Sequence, residues 1–385
     1  MGRPPERYVP TAQTAATMSC RRRRRRKGWR GQPVEAQPEG QAEPQLGASG
    51  PASANPRSVA EALAGPEAPN WRGDLDEEIG ALNDFGVFEE CDLPPGKQAL
   101  PSRFMLERKR CGRYKARLVA GGHKQQQGLD FNETFAPVCS YRTLRMILAV
   151  SAHEDLELRQ FDIRTAFLNG ELQEEVYIRQ PAGVPLGSPG KVLRLRRALY
   201  GLRQASRAWN TRLEAALREK GLTQSDCDPS LWILRGASGA VLTMFYVDDG
   251  LVAARTAAEA DALVALVGSM FEIRALGEPT DFLGISIVRD REARTITIHQ
   301  HDKARALAED AGVAGKQRDV PMSPETYAAL RAAKTGERMA TDPDAYRARV
   351  GSLLHISGCT RPDLQVSVGA LASHVQSPSA AHEAA

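Results

Sequence analysis

The chain has 385 residues, 42% of them hydrophobic and 25% charged, with a formal net charge of +4. That is enough apolar material for one large or two ordinary cored domains, and it excludes a fibrous or wholly unfolded chain. No apolar run approaches the eighteen or so residues that cross a bilayer and the start MGRPPERYVP lacks the apolar core of a secretory signal, so we expect an intracellular protein with no membrane partner.

Six cysteines, at positions 20, 91, 111, 139, 227 and 359, show no C-x-x-C spacing, which argues against a zinc site or a disulfide framework. Residues 1–58 hold 11 Lys and Arg against 4 acids and are rich in Pro, Gly, Gln, Ala and Ser. Nothing there can bury a core, so this stretch reads as a disordered tail. Its RRRRRRK run at 21–27 fits a nuclear-import signal or an RNA-binding arm, or a tail with no selected role, and the location expected is cytoplasmic or nuclear.

Order is expected from Val59. NWRGDLDEEIGALNDFGVFEE at 70–90 places Trp71, Leu75, Ile79 and Leu82 on one helical face. Basic, strand-like segments follow to about residue 120, and TLRMILAVSA at 143–152 reads as a buried helix. LELRQFDI at 156–163 has apolar residues at 156 and 158, then at 161 and 163, a strand pattern with one phase change; Asp162 faces away from Phe161 and Ile163. RAWNTRLEAALREKG at 207–221 puts Trp209, Leu213, Ala216 and Leu217 on one helical face and ends on a terminating glycine. Thr256 and Glu259 have capping-box spacing at the head of a helix running to about 271. Alternating helices and strands of this kind predict an α+β fold with a mostly antiparallel sheet.

Two basic stretches could contact phosphates. Residues 103–124 carry eight Lys and Arg against Glu107, and residues 191–220 carry nine against Glu214 and Glu219. Solvated surface explains such runs as well. In LTMFYVDDGLVAA at 242–254, Asp248 and Asp249 interrupt an apolar run, which predicts strand, tight turn over 248–250, strand. Both acids are turn formers, or they are a cation site, since adjacent carboxylates repel unless a cation lies between them. Mg²⁺ bound by one or two carboxylates plus substrate phosphates suits phosphoryl transfer, and Asp162 is the candidate third acid.

YVDD at 246–249, FDIRTAFLNGELQEEVYIRQP at 161–181 and ALYGLRQASRAW at 198–209 closely resemble the reverse transcriptase of copia-type long-terminal-repeat retrotransposons. Further matching segments are RYKARLVAGGHKQQQGLDFNETFAPV at 113–138, FEIRALGEPTDFLGI at 271–285 and YRARVGSLLHISGCTRPDL at 346–364. The resemblance runs in order from about residue 60 to the end. It implies a right-hand polymerase of fingers, palm and thumb, with a mostly antiparallel palm sheet, over residues 59–322. It also implies two Mg²⁺ ions, an RNA or DNA template with its primer, and deoxynucleoside triphosphates as substrate.

By that resemblance Asp162, Asp248 and Asp249 are catalytic and metal-binding, and Phe167 is an aromatic floor under the incoming sugar unless it is plain core. Lys115 and Arg117 would hold the triphosphate, and Tyr200 and Gly201 would line the nucleotide pocket. Arg194, Arg196, Arg197 and Arg203, with Phe282 and Gly284 near a primer-gripping hairpin, would face nucleic acid. Core packing explains Tyr200, Gly201 and the hairpin residues almost as well.

His299 and His301 read as surface. Ser206 stands where the family usually has proline, and Arg274 and Ala275 stand where Lys-Asp is common. Residues 323–385 are expected to be a tether toward an absent ribonuclease H domain, making the chain a retroelement fragment. The alternative is a catalytically silent relic that only binds nucleic acid.

Overall fold

The computed structural model describes residues 55–109, 112–332 and 342–384. The anticipated tail up to residue 54, its arginine run, Cys20 and Cys111 lie outside the described residues. Ser58 caps the first helix by accepting the Glu61 N–H at 3.2 Å. In chain order the elements are α1 (Val59–Ala64), α2 (Ala68–Asp84), β1 (Phe88–Cys91), β2 (Ala99–Leu100), β3 (Ser102–Arg108), β4 (Tyr114–Ala120), α3 (Tyr141–Glu154), β5 (Glu157–Ile163), β6 (Glu171–Ile178), β7 (Val192–Arg197) and α4 (Ala205–Glu219). There follow β8 (Thr223–Gln224), β9 (Leu231–Arg235), β10 (Ala240–Tyr246), β11 (Asp249–Ala254), α5 (Ala257–Gly268), β12 (Ile273–Gly277), β13 (Asp281–Phe282), β14 (Ile285–Asp290), β15 (Thr295–His299) and α6 (His301–Asp310). The last helices are α7 (Pro324–Ala332), α8 (Pro343–Cys359), α9 (Gln365–Ala372) and α10 (Ala380–Ala384).

The largest sheet has the order β12-β5-β11-β10-β9-β8, with antiparallel pairing throughout. Both of its faces are covered. One meets α4 and α5 through Phe161, Ile163, Trp209, Leu213, Val252 and Leu263. The other meets α3 and the β13–β14 hairpin through Leu144, Ile147, Leu158, Leu251, Phe282 and Ile285. This corrects the expected phase change in β5. Leu156 and Leu158 belong to one core and Phe161 and Ile163 to the other, so the strand alternates without a break and both registers are apolar because both faces are buried.

A second sheet, β1-β7-β6-β2, packs with α1, α2 and the separate β3–β4 hairpin around Trp71, Leu75, Leu82, Leu118 and Leu195. Within it β2 and β6 run parallel, while the other pairs are antiparallel. The fold is thus α+β with mostly antiparallel sheets. The α2 face is as its periodicity predicts, except that Glu78 is buried on it. Thr256 and Glu259 form the predicted cap, worth about 1 kcal/mol, with the threonine hydroxyl accepting the Glu259 N–H at 3.2 Å. Within the stretch expected to be a tether, the described residues include helices α7 to α10, with a small core of Leu330, Tyr346, Val350 and Leu371. Among the described residues no helix is long and apolar enough to cross a membrane.

Candidate active site

Strands β10 and β11 are joined by a two-residue loop, because Tyr246 pairs directly with Asp249. The turn is therefore Val247–Asp248, one residue upstream of the expected position, and Asp249 is the first residue of β11. Val247 adopts φ +60°, a left-handed conformation that a β-branched side chain rarely takes. Two hydrogen bonds hold it there. The indole N–H of Trp209, on α4, donates to the Val247 carbonyl at 2.7 Å, and the Ile163 N–H donates to the Asp248 carbonyl at 2.7 Å.

Gly250 lies in the strand and not in the turn, and its missing side chain has a packing reason. A Cβ there would come within 2.6 Å of Cε1 of the fully buried Phe161, and nearer still to Cζ and Cε2.

The register brings the three acids together. Asp249 on β11 lies directly opposite Asp162 on β5, so both side chains emerge on one sheet face, with Asp248 one residue away in the turn. All three are partly buried. Burial, and then repulsion from Asp248 and Asp162, pushes the Asp249 carboxyl up to about 6. Burial and Asp162 likewise raise Asp248, opposed by the cations of Arg117 and Lys109. On the other side of Asp162 its cross-strand neighbour is Arg274, so the row across the sheet reads Asp249, Asp162, Arg274.

Among the described residues no group of three or more His, Cys, Asp or Glu side chains is arranged to hold a metal ion by itself. The donor chemistry still fits a hard divalent cation: carboxylate oxygens only, partly desolvated, and mutually repelling in the way an intervening cation would relieve.

Arg117, on β4, stands over the Tyr200 ring at 5.4 Å and pairs with Glu107 at 3.4 Å; its Nε is buried with no hydrogen-bond partner. Burial raises the Tyr200 phenol, and the Arg117 cation opposes that shift. Phe167 meets Tyr200 edge to face at 5.0 Å. Gly201, at φ +88°, lets this loop touch β4, since a Cβ would approach Val119 Cγ1 to 2.6 Å and the Ala120 carbonyl more closely. Arg117, Phe167, Tyr200 and Gly201 therefore gather beside the carboxylates. Lys115 is on the same strand, but its charge acts on Asp74 and Glu78 of α2. Lys109, from the β3–β4 loop, acts on Asp248 and Asp249. Sequence reasoning singled out Lys115 and not Lys109, whose one signal was its place in the basic run.

The four arginines expected to face nucleic acid each have a partner within the protein. Arg194 pairs with Glu89 and Glu175 at 3.4 and 3.1 Å, and Arg196 with Glu89 at 2.7 Å. Arg197 donates to the Asn169 carbonyl at 3.5 Å. Arg203 donates to the Gly122 carbonyl at 3.0 Å and covers the Phe131 ring. Arg194 and Arg196 would therefore have to exchange half-exposed acid partners for phosphate, whereas Arg197 and Arg203 carry charges that no acid among the described residues offsets.

Phe282 is a core residue, 1% exposed. Leu283 and Gly284, at φ +53° and +71°, form the two-residue β13–β14 turn. Gly284 presents its carbonyl to Gln300 at 3.0 Å. His299 and His301 stack on each other at 4.1 Å, with His301 exposed and His299 partly buried.

A family profile described as "Reverse transcriptase (RNA-dependent DNA polymerase)" matches residues 85–324. The Retrovirus-related Pol polyprotein from transposon TNT 1-94 of Nicotiana tabacum is 32% identical over 342 residues, 85% of this chain and 25% of that protein. The Retrovirus-related Pol polyprotein from transposon RE1 of Arabidopsis thaliana is 32% identical over 343 residues, 86% of this chain and 22% of that protein. The chain thus spans about a quarter of the length of these relatives. A solved structure of the foamy viral protease-reverse transcriptase dRH in complex with double-stranded DNA aligns over 80% of this chain and 44% of that one, at 10% identity and a TM-score of 0.35, too loose a likeness to transfer any detail.

Proposed function

The chain belongs to the reverse transcriptase (RNA-dependent DNA polymerase) family, in its copia-type retrotransposon branch, and we propose that it extends a primer 3′-hydroxyl with deoxynucleotides on an RNA or DNA template. In the proposal the sheet carrying Asp162 and Asp249 is the palm, the β3–β4 hairpin belongs to the fingers, and the segments after β12 form the thumb. The observation that carries it is the cross-strand pairing of Asp162 with Asp249 beside Asp248.

Asp162, Asp248 and Asp249 would hold two magnesium ions, which when bound supply an acidified primer hydroxyl and a neutralised leaving pyrophosphate. The chain's own residues do the rest. Arg117 offers a fork of donors to the triphosphate, one of them with no internal partner, and Lys109 adds a point charge. The Phe167 ring, braced edge-on by Tyr200, forms a floor that a ribose 2′-hydroxyl would strike. Partial burial of the carboxylates limits water at the reacting centre and strengthens each of these electrostatic contacts.

The test is extension of oligo(dT) on poly(rA) with dTTP and Mg²⁺. Incorporation by the wild type, lost in Asp248→Asn, is the expected result. A cooperatively folded wild type that binds the hybrid and adds no nucleotide would leave only a nucleic-acid-binding relic.

A further inference from the structure

Helix α2 lies outside the stretch that the family profile matches, yet it presses a carboxylate against the strand that carries Arg117. Glu78 is 5% exposed. Acidic side chains are tolerated at that depth only when something hydrogen-bonds them. Here the partner is backbone: the Leu118 N–H donates to Glu78 Oε1 at 2.9 Å. Burial pushes the carboxyl upward, partly offset by that hydrogen bond and by the Lys115 and Arg117 cations.

The position of this hydrogen bond gives it consequence. One edge of β4 is paired with β3. On its other edge, the Ala120 N–H donates to the Tyr200 carbonyl at 2.8 Å and the Leu118 N–H donates to Glu78. Arg117 immediately precedes Leu118, and its guanidinium is poised over the same Tyr200 whose carbonyl anchors Ala120. Elsewhere α2 grips the hairpin at its far end, through Trp71 edge-on to Tyr114 at 4.7 Å and Glu67 with Arg108 at 2.9 Å. Without the Glu78 anchor, the backbone of β4 between Tyr114 and Ala120 would be hydrogen-bonded to β3 alone, with its inner side chains still packed on α2. An unpaired N–H in that core would also be costly, so the strand would shift to find water.

We propose that Glu78 is a positioning residue: by accepting the Leu118 N–H it fixes β4 so that Arg117 stays over Tyr200, and through Arg117 it sets the affinity for the incoming nucleotide. The second half rests on the polymerase reading, while the first half stands on the fold alone.

The test compares wild type, Glu78→Gln and Glu78→Met. Glutamine keeps an acceptor oxygen, and methionine keeps the length and volume without one. Amide exchange at Leu118 is expected to stay protected in Glu78→Gln and to lose protection by about tenfold or more in Glu78→Met, while the melt, at a lower temperature, stays cooperative. In primer extension the KM for dTTP is expected to rise about tenfold in Glu78→Met with kcat within about twofold, and to return in Glu78→Gln. If Glu78→Met fails to melt cooperatively, Glu78→Ala is read the same way.

Unchanged Leu118 protection in the methionine variant overturns the proposal. So does glutamine behaving like methionine, or a fall in kcat as large as the rise in KM. If the wild type adds no nucleotide while Glu78→Met still loses Leu118 protection, the polymerase reading fails and the brace stands.

Discussion

Replacing Gly250 by alanine tests how tightly the sheet beneath the carboxylates is built. The added Cβ would lie 2.6 Å from Phe161 Cε1 and closer to two other ring atoms, where carbon atoms settle at about 3.5–4.0 Å. The ring would have to retreat by about 1 Å or more. It has no room, being 0% exposed and held edge-on by Phe245 at 5.8 Å. Burying one methyl returns about 0.8 kcal/mol. Overpacking a rigid core costs about 1–3 kcal/mol, and obstruction by three ring atoms puts this site at the upper end, about 3 kcal/mol.

Urea unfolding measures that cost, and a double-mutant cycle assigns it. Phe161→Leu alone should cost about 2 kcal/mol. Because leucine lacks the outer ring atoms, Phe161→Leu with Gly250→Ala should cost little more than Phe161→Leu, giving a coupling of about 3 kcal/mol. Gly250→Ala as stable as wild type, or two costs that simply add, would refute the packing argument.

Three further outcomes are expected. Trp209→Phe leaves the Val247 carbonyl without its donor, so it should lose about 2 kcal/mol of stability, and primer extension should fall as the strained turn relaxes; unaltered extension would show that the turn needs no anchor. Burial raises Asp228, but hydrogen bonds from Thr143, Ser230 and Ser140 outweigh it and hold the carboxyl below its ordinary value. The stability this confers is present above the ordinary carboxylate range and lost as pH falls through the lowered native value. Asp228→Asn should therefore be about 2 kcal/mol less stable than wild type at pH 7, and the gap should close in strong acid. Burial pushes the Cys139 thiol up to about 12, so Cys139→Ser should remove one thiol from the slow, unfolding-limited phase of a disulfide-exchange titration and none from the fast phase in which exposed Cys227 reacts.

Local signals carried much of the fold. The faces of α2 and α4 follow from a 3.6-residue period, and the Thr256–Glu259 cap from its spacing. Three things were out of reach for physical reasons. The β5 alternation looked broken because periodicity assumes one wet face, and this strand has none. The 248–250 turn followed the usual preference for Asp-Gly, whereas the chain places the left-handed residue at Val247 and needs Gly250 for the Phe161 ring. The Arg194 and Arg196 cations looked free because their acids, Glu89 and Glu175, come from other strands.

At the site, the interrupted apolar run marked Asp248 and Asp249 and offered Asp162 as a third acid, and the family resemblance gave all three a catalytic role; no local pattern could have paired Asp162 with Asp249 across 86 intervening residues. Glu78 went unseen because an acid on an apolar helical face reads as noise until its backbone partner is known.

The most direct measurement is single-turnover dTTP incorporation by Asp162→Asn, Asp249→Asn and the double variant, each shown to melt cooperatively. If the three carboxylates act as one unit, each single change removes at least about a thousandfold of the rate and the double loses no more. Wild-type incorporation by Asp162→Asn would contradict the account.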